Sequence, residues 1–73
     1  MRITYDRAAD AAYIYLVEDI SPGSVKATYP IEDVKRVGQI NLDFNVEGIL
    51  VGIEVLDASK KLPGELLKQA QQI

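Results

Sequence analysis

Carboxylates and tyrosine hydroxyls are the side chains through which this chain could do chemistry, because it contains neither histidine nor cysteine. The missing types remove the commonest general base, the Ser–His and Cys–His nucleophile pairs, and most zinc or copper sites. The sequence also lacks a glycine-rich phosphate-binding motif of the P-loop or dinucleotide type. We therefore predict no catalytic residue, no metal ligand and no cofactor, and the balance leans away from an enzyme.

A carboxylate site is the alternative that the residues leave open. Asp43 and Glu54 fall on one face of a predicted hairpin, with Asn41 between them across the strands. Paired carboxylates can act as acid and base when one of them is desolvated. The predicted pairing sets Asp43 opposite Leu50, so the two are not direct neighbours, and ordinary solvated positions are favoured. The alternative function is a metal or ligand site, or a small enzyme, using Asp43, Glu54 and Tyr13, with Asn41 as a further ligand candidate.

Tyr13 and Tyr15 are better explained by a protein interface than by an active site. Both point away from the sheet face that a helix would cover. Large apolar area on a second face is typical of an interface or groove, while cross-strand packing is the competing interpretation. Gly52 inside a strand indicates a bulge or a close approach by another chain. The predicted interface residues are Tyr13, Tyr15, Val17, Leu50, Gly52 and Leu56.

The elements that position these residues centre on a hairpin with strands at 39–44 and 49–56. Apolar side chains alternate along the first strand, and the turn at 45–48 contains asparagine and glycine. Burial of one face selects the register. The predicted pairs are Phe44 with Ile49, Leu42 with Val51, and Ile40 with Ile53.

Three earlier strands and one helix complete the prediction. The strands are expected at 2–5, 11–17 and 24–29, each paired with its neighbour in sequence: Ile3 faces Ile14, and Ile14 faces Ala27. Pro30 should end regular pairing, and 31–38 should be a connection with one helical turn. A helix at 63–72 should bury a stripe containing Leu62, Leu66, Leu67, Ala70 and Ile73. The fold class is α+β: an antiparallel meander sheet of about five strands, with one C-terminal helix packed on one face.

The length of the chain and its net charge restrict the classes of function that it could have. The chain has 73 residues and a net charge of −3, which predicts a single domain over 1–73 of marginal stability. We expect it to be a homo-oligomer, first of all a dimer, or to bind a basic protein partner. Lysine and arginine form no stripe, which disfavours nucleic-acid binding by this chain alone. No apolar run could span a membrane, and a cytoplasmic location is expected.

Two stretches resemble a known family. Y-D-x-x-x-D-A-A-Y-I-Y-L from Tyr5 to Leu16, and I-N-L-D-F-x-x-x-G-x-L-V-G-I-E-V-L-D-A-S from Ile40 to Ser59, are similar to the domain of unknown function 2283 family of small bacterial and archaeal proteins. The resemblance implies a compact stand-alone domain and, at family level, an antitoxin-like role. Its recurring positions are Tyr5, Asp6, Asp10, Tyr13, Asp43, Gly48, Gly52, Glu54 and Ser59.

Overall fold

The computed structural model describes residues 1–33 and 38–73, which form one six-stranded mixed sheet and two short helices. The strand order is β3-β4-β5-β2-β1-β6. The α+β class is therefore as predicted, but a purely antiparallel five-stranded meander with one helix is wrong. The elements in chain order are β1 (Arg2–Asp6), β2 (Ala11–Tyr15), β3 (Ala27–Asp33), β4 (Gly38–Phe44), β5 (Leu50–Leu56), α1 (Ala58–Lys61), α2 (Gly64–Gln69) and β6 (Gln71–Gln72).

Strand β2 pairs with strands that are distant as well as near in sequence. Ile14 lies opposite Ile3 of β1, as predicted, and on its other side opposite Ile53 of β5. The predicted pairing of Ile14 with Ala27 is wrong, because β3 lies at the far edge beside β4. Pro30 explains this placement: a proline inside a paired strand is tolerated at a sheet edge, where its missing N–H faces away from the neighbour.

Strand β3 passes through Pro30 instead of ending there. Pro30 lies opposite Asn41, and pairing continues until Asp33 faces Gly38. The strand therefore spans 27–33, not 24–29, and its last residues replace the start of the predicted connection. The helical turn expected in that connection falls on 34–37, outside the described residues.

The central hairpin has the predicted strands and turn but a different register. Leu42 faces Ile53 and Ile40 faces Val55, two residues beyond the predicted partners. The pairing shifts between Asp43 and Phe44, a bulge that the alternation of side chains does not reveal. From Ile40 to Asp43 the shift of two keeps each side chain on its predicted face, because the period of a strand is two. At the bulge itself Phe44 faces Leu50 instead of Ile49, a shift of one.

The C-terminal region contains two helices and a short strand instead of one helix at 63–72. Helix α1 occupies the expected polar link, and α2 ends at Gln69. Strand β6 then adds parallel to β1, with Thr4 opposite Gln71. Because the end of the chain pairs with the free edge of β1, Ile73 is 71% exposed and does not join the predicted apolar stripe.

The core is small and lies to one side of the sheet. Ala12 and Val55 of the sheet pack with Ala58 and Leu67 of the helices. Half-buried side chains surround this group: Tyr5, Ile40, Ile53 and Leu62. Among the described residues no large side chain is less than 2% exposed. The helices thus cover the β1–β2–β5 side of this face, and no helix in the described part of the chain packs on its β3 side.

Candidate functional site

A hydrogen-bonded row of polar side chains crosses the sheet face opposite the helices, and we call it the polar row. Its members come from four strands: Tyr13 of β2, Thr28 of β3, Gln39, Asn41 and Asp43 of β4, and Glu54 of β5. The alternation of strand residues puts all of them on one face. The row brings together Tyr13 and the three ligand candidates Asn41, Asp43 and Glu54.

Asp43 is the centre of one half of the row. The Tyr13 hydroxyl donates to its Oδ2 at 2.5 Å, and the Thr28 hydroxyl donates to its Oδ1 at 2.6 Å. Gly52 belongs to β5, the strand between β4 and β2. It lies opposite Asp43 on one side and opposite Tyr15 on the other. Its missing side chain leaves the space through which the Tyr13 ring reaches Asp43. The glycine therefore serves a close approach within the chain.

Burial, followed by the hydrogen bond to Asp43 and the charge of that carboxylate, raises the pKa of Tyr13 well above its ordinary value. The phenol thus stays protonated near neutral pH and acts as a hydrogen-bond donor. A general base needs a pKa near the working pH, so this environment opposes that role for Tyr13.

Glu54 and Asn41 form the other half of the row. Asn41 donates from Nδ2 to Glu54 Oε1 at 2.8 Å, and Gln39 donates from Nε2 to Asn41 Oδ1 at 3.1 Å. Glu54 faces Asn41 on one side and Tyr13 on the other. The predicted pairing of Asp43 with Leu50 is therefore wrong, and both carboxylates lie beside Tyr13. Among the side chains that the structure describes, no three from aspartate, glutamate, histidine or cysteine converge as a metal-binding group.

The predicted interface residues divide between this face and its ends. Tyr13 and Tyr15 pack with ring centroids 4.8 Å apart, and the Arg2 guanidinium lies 3.8 Å from the Tyr15 ring centre. Val17 is 38% exposed beyond the end of β2. Leu50 faces Phe44 at the bulge, and Leu56 faces Ala11 at the opposite end of β5.

A second cluster, around Asp10, joins the β1–β2 turn to helix α1. Its carboxylate accepts from the Tyr5 hydroxyl at 2.7 Å, from the Ser59 hydroxyl at 2.7 Å and from the Ser59 N–H at 3.0 Å. The Asp10 carbonyl accepts the Ala58 N–H at 2.9 Å. Asp10 thus supplies the partners that the first N–H groups of α1 need. The hydrogen bonds from Ser59 and then Tyr5 hold the pKa of Asp10 below its usual value.

Asp6 caps the β1–β2 turn, since its Oδ1 accepts the N–H groups of Ala8 and Ala9. Most of the positions that the family resemblance singled out therefore lie in two clusters. Tyr5, Asp10 and Ser59 belong to the turn–helix contact, while Tyr13, Asp43, Gly52 and Glu54 belong to the polar row.

An uncovered apolar surface, which we call the open face, lies on the helix side of β3 and β4. It consists of Ala27, Tyr29, Ile31, Leu42 and Phe44. Tyr29 is 60% exposed, Ile31 is 47% exposed, and part of the surface is a depression of about 560 Å³. The sequence prediction missed it because the third strand was ended at Pro30. The alternation of Ala27, Tyr29 and Ile31 would have shown it once the strand was continued.

Comparison with known proteins identifies the family and nothing finer. The family model described as "Protein of unknown function (DUF2283)" matches residues 2–59. The chain therefore belongs to this family, as the resemblance predicted. Searches of curated proteins and of solved structures returned no match. Neither helix in the described part of the chain is long and apolar enough to cross a membrane.

Proposed function

We propose that this protein is a non-enzymatic interaction module that works as a homodimer. The observation that carries the proposal is the amount of surface that the folded chain leaves exposed. Folded monomers of 8.1 kDa expose on the order of 4,500 Å². This chain exposes 5191 Å², roughly 700 Å² more than that scaling gives.

The excess area is close to what a dimer would bury. Each partner in an interface of standard size covers about 800 Å². The shape agrees, since the radius of gyration is 12.3 Å against about 11 Å for a compact chain of this length. A slab of 32 × 28 × 17 Å with a core of small side chains gains most from a partner that covers one of its broad faces.

The contacts of the polar residues support a structural role over a chemical one. Asp43 accepts one hydroxyl on each oxygen, and these bonds tie β2 and β3 to β4. Asn41 and Glu54 tie β4 to β5. A carboxylate engaged in holding strands together gains its hydrogen bonds in the folded state and has no need of a ligand to satisfy it.

Thermal unfolding at a series of protein concentrations tests the proposal. Dissociation accompanies unfolding of a dimer, so its midpoint should rise with concentration by mass action. A midpoint that is the same across a hundredfold range of concentration, roughly from micromolar upward, would contradict the proposal. A basic protein partner, including one that an antitoxin-like role would supply, then becomes the better proposal, because the net charge of −3 favours such a partner.

A further inference from the structure

We propose that two copies of this chain associate through their open faces, stacked face to face, and not by joining sheet edges. The inference rests on the proposed homodimer and names the surface that forms it. The open face is the part of the helix-side sheet surface that α1 and α2 do not reach, so a second copy would complete a layer that the chain itself leaves unfinished.

Exposure and side-chain chemistry single out this surface. Tyr29 and Phe44 pack edge to face, with ring centroids 5.6 Å apart, beside the half-buried Leu42. Tyrosine at an interface combines large apolar area with low conformational entropy, which is why it is enriched among residues that dominate binding. Tyr13 and Tyr15, on the opposite face, already have partners in Asp43 and Arg2 and offer less free area.

The edge of the sheet is the competing route to a dimer. Strand β3 is an edge strand, and an unpaired edge can add a strand from another chain. Pro30 lies at the middle of that strand and supplies no N–H, so a ladder built on this edge would lack a donor at its centre. Proline on an edge strand is one of the devices that prevent such pairing. Strand β3 therefore offers a second copy its face and not its edge.

The absence of cysteine allows a sharp test, because a single introduced thiol marks one site on each copy. Ala27→Cys, Tyr29→Cys and Ile31→Cys place thiols on the open face. Thr28→Cys places one on the same strand but on the opposite face, and serves as the matched control. Each variant is treated with a short bismaleimide under native conditions, and covalent dimer is measured by denaturing electrophoresis.

The expected result is covalent dimer from at least one open-face variant and almost none from Thr28→Cys. Efficient cross-linking of Thr28→Cys, alone or equally with the others, would overturn the inference, because edge pairing or the tyrosine face would bring that position together. Unmodified protein that is monomeric in solution would instead refute the proposed homodimer itself. The two failures are thus distinguished by mass and by the pattern of cross-links.

A second set of variants tests the same surface without chemical modification. Tyr29→Thr should raise the dimer dissociation constant at least about a hundredfold, since the change occurs on both sides of the interface. Val17→Thr removes apolar area on another part of the molecule. It should change the dimer dissociation constant less than threefold, the size of effect expected of an ordinary surface substitution. Pro30→Val should also leave it unchanged; tighter association on restoring this N–H would favour edge pairing and overturn the inference.

Discussion

Gly52→Ala should disrupt the polar row, because the Tyr13 ring occupies the space of the missing side chain. A Cβ built at this position would lie 2.6 Å from both Cε1 and Cζ of Tyr13, and nearer still to the hydroxyl. Real Cβ atoms essentially never come within 3.0 Å of a heavy atom outside their own residue and its chain neighbours, so the ring must move. Moving it takes the hydroxyl away from Asp43, which accepts its hydrogen bond at 2.5 Å.

The change in the free energy of unfolding expected for Gly52→Ala is the sum of two unfavourable contributions and one favourable one. Overpacking costs about 1–3 kcal/mol, and the hydrogen bond to a charged group contributes about 1.5–3 kcal/mol, reduced here because the site is only half buried. Alanine is favoured over glycine within a strand by about 0.5–1 kcal/mol. We expect a net loss of about 2 kcal/mol in the free energy of unfolding, equivalent to roughly 8–16 °C in the midpoint.

A double-mutant cycle with Tyr13→Ala isolates this effect. In the Tyr13→Ala background the obstacle is gone, and Gly52→Ala should be neutral or stabilising by up to about 1 kcal/mol. Denaturant unfolding, monitored by circular dichroism at one fixed protein concentration, measures all four free energies. Gly64→Ala is the control, since nothing lies within 4 Å of a Cβ at that glycine. An equal cost of Gly52→Ala in both backgrounds would refute the reasoning.

Three further predictions concern the hydrogen-bonded clusters and the core. Tyr13→Phe should cost about 1 kcal/mol by removing the donor to Asp43; because the native pKa of Tyr13 is raised, its stabilisation is complete below the unfolded value near 10 and is lost as the pH rises through the native one, so the cost of the substitution, measured by denaturant unfolding, should shrink above about pH 10. The lowered pKa of Asp10 means that its stabilisation is present above the unfolded value near 4 and is lost as the pH falls through the native one; Ser59→Ala should raise that pKa, measured by carboxyl NMR titration. Leu67→Ala, which empties part of the core, should cost about 2–5 kcal/mol in denaturant unfolding, and a cost under 1 kcal/mol would contradict the assigned core.

Local patterns predicted the strands well, because alternation and turn residues are written in adjacent positions. The β1–β2 register, with Ile3 opposite Ile14, and the turn at 45–48 both follow from such signals. The hairpin register was predicted two residues away, since a bulge at Asp43 and Phe44 depends on how the strands coil together. A register error of two residues does not change the face on which a side chain lies, so Tyr13, Asp43 and Glu54 were correctly assigned to one side of the sheet.

Long-range partners could not be read in the same way. The prediction paired each strand with its sequence neighbour, whereas β2 takes its second partner from β5. Helix α1 was missed because its first N–H groups are capped by Asp10, about fifty residues earlier in the chain. A proline can lie within an edge strand as well as at the end of a strand, so Pro30 was compatible with a third strand that continues past it. Continuing the predicted third strand through Pro30 would have placed Ile31 beside Tyr29 and so revealed the open face.

Sedimentation equilibrium of the unmodified protein tests the central claim most directly, because it gives mass without reference to shape. We expect a mass approaching twice 8.1 kDa at concentrations of about 10 µM and above, with reversible dissociation on dilution. The 10 µM figure corresponds to a micromolar dimer, the weaker end of what an interface of standard size provides. A mass of 8.1 kDa at every concentration, in a sample shown to be folded, would contradict it.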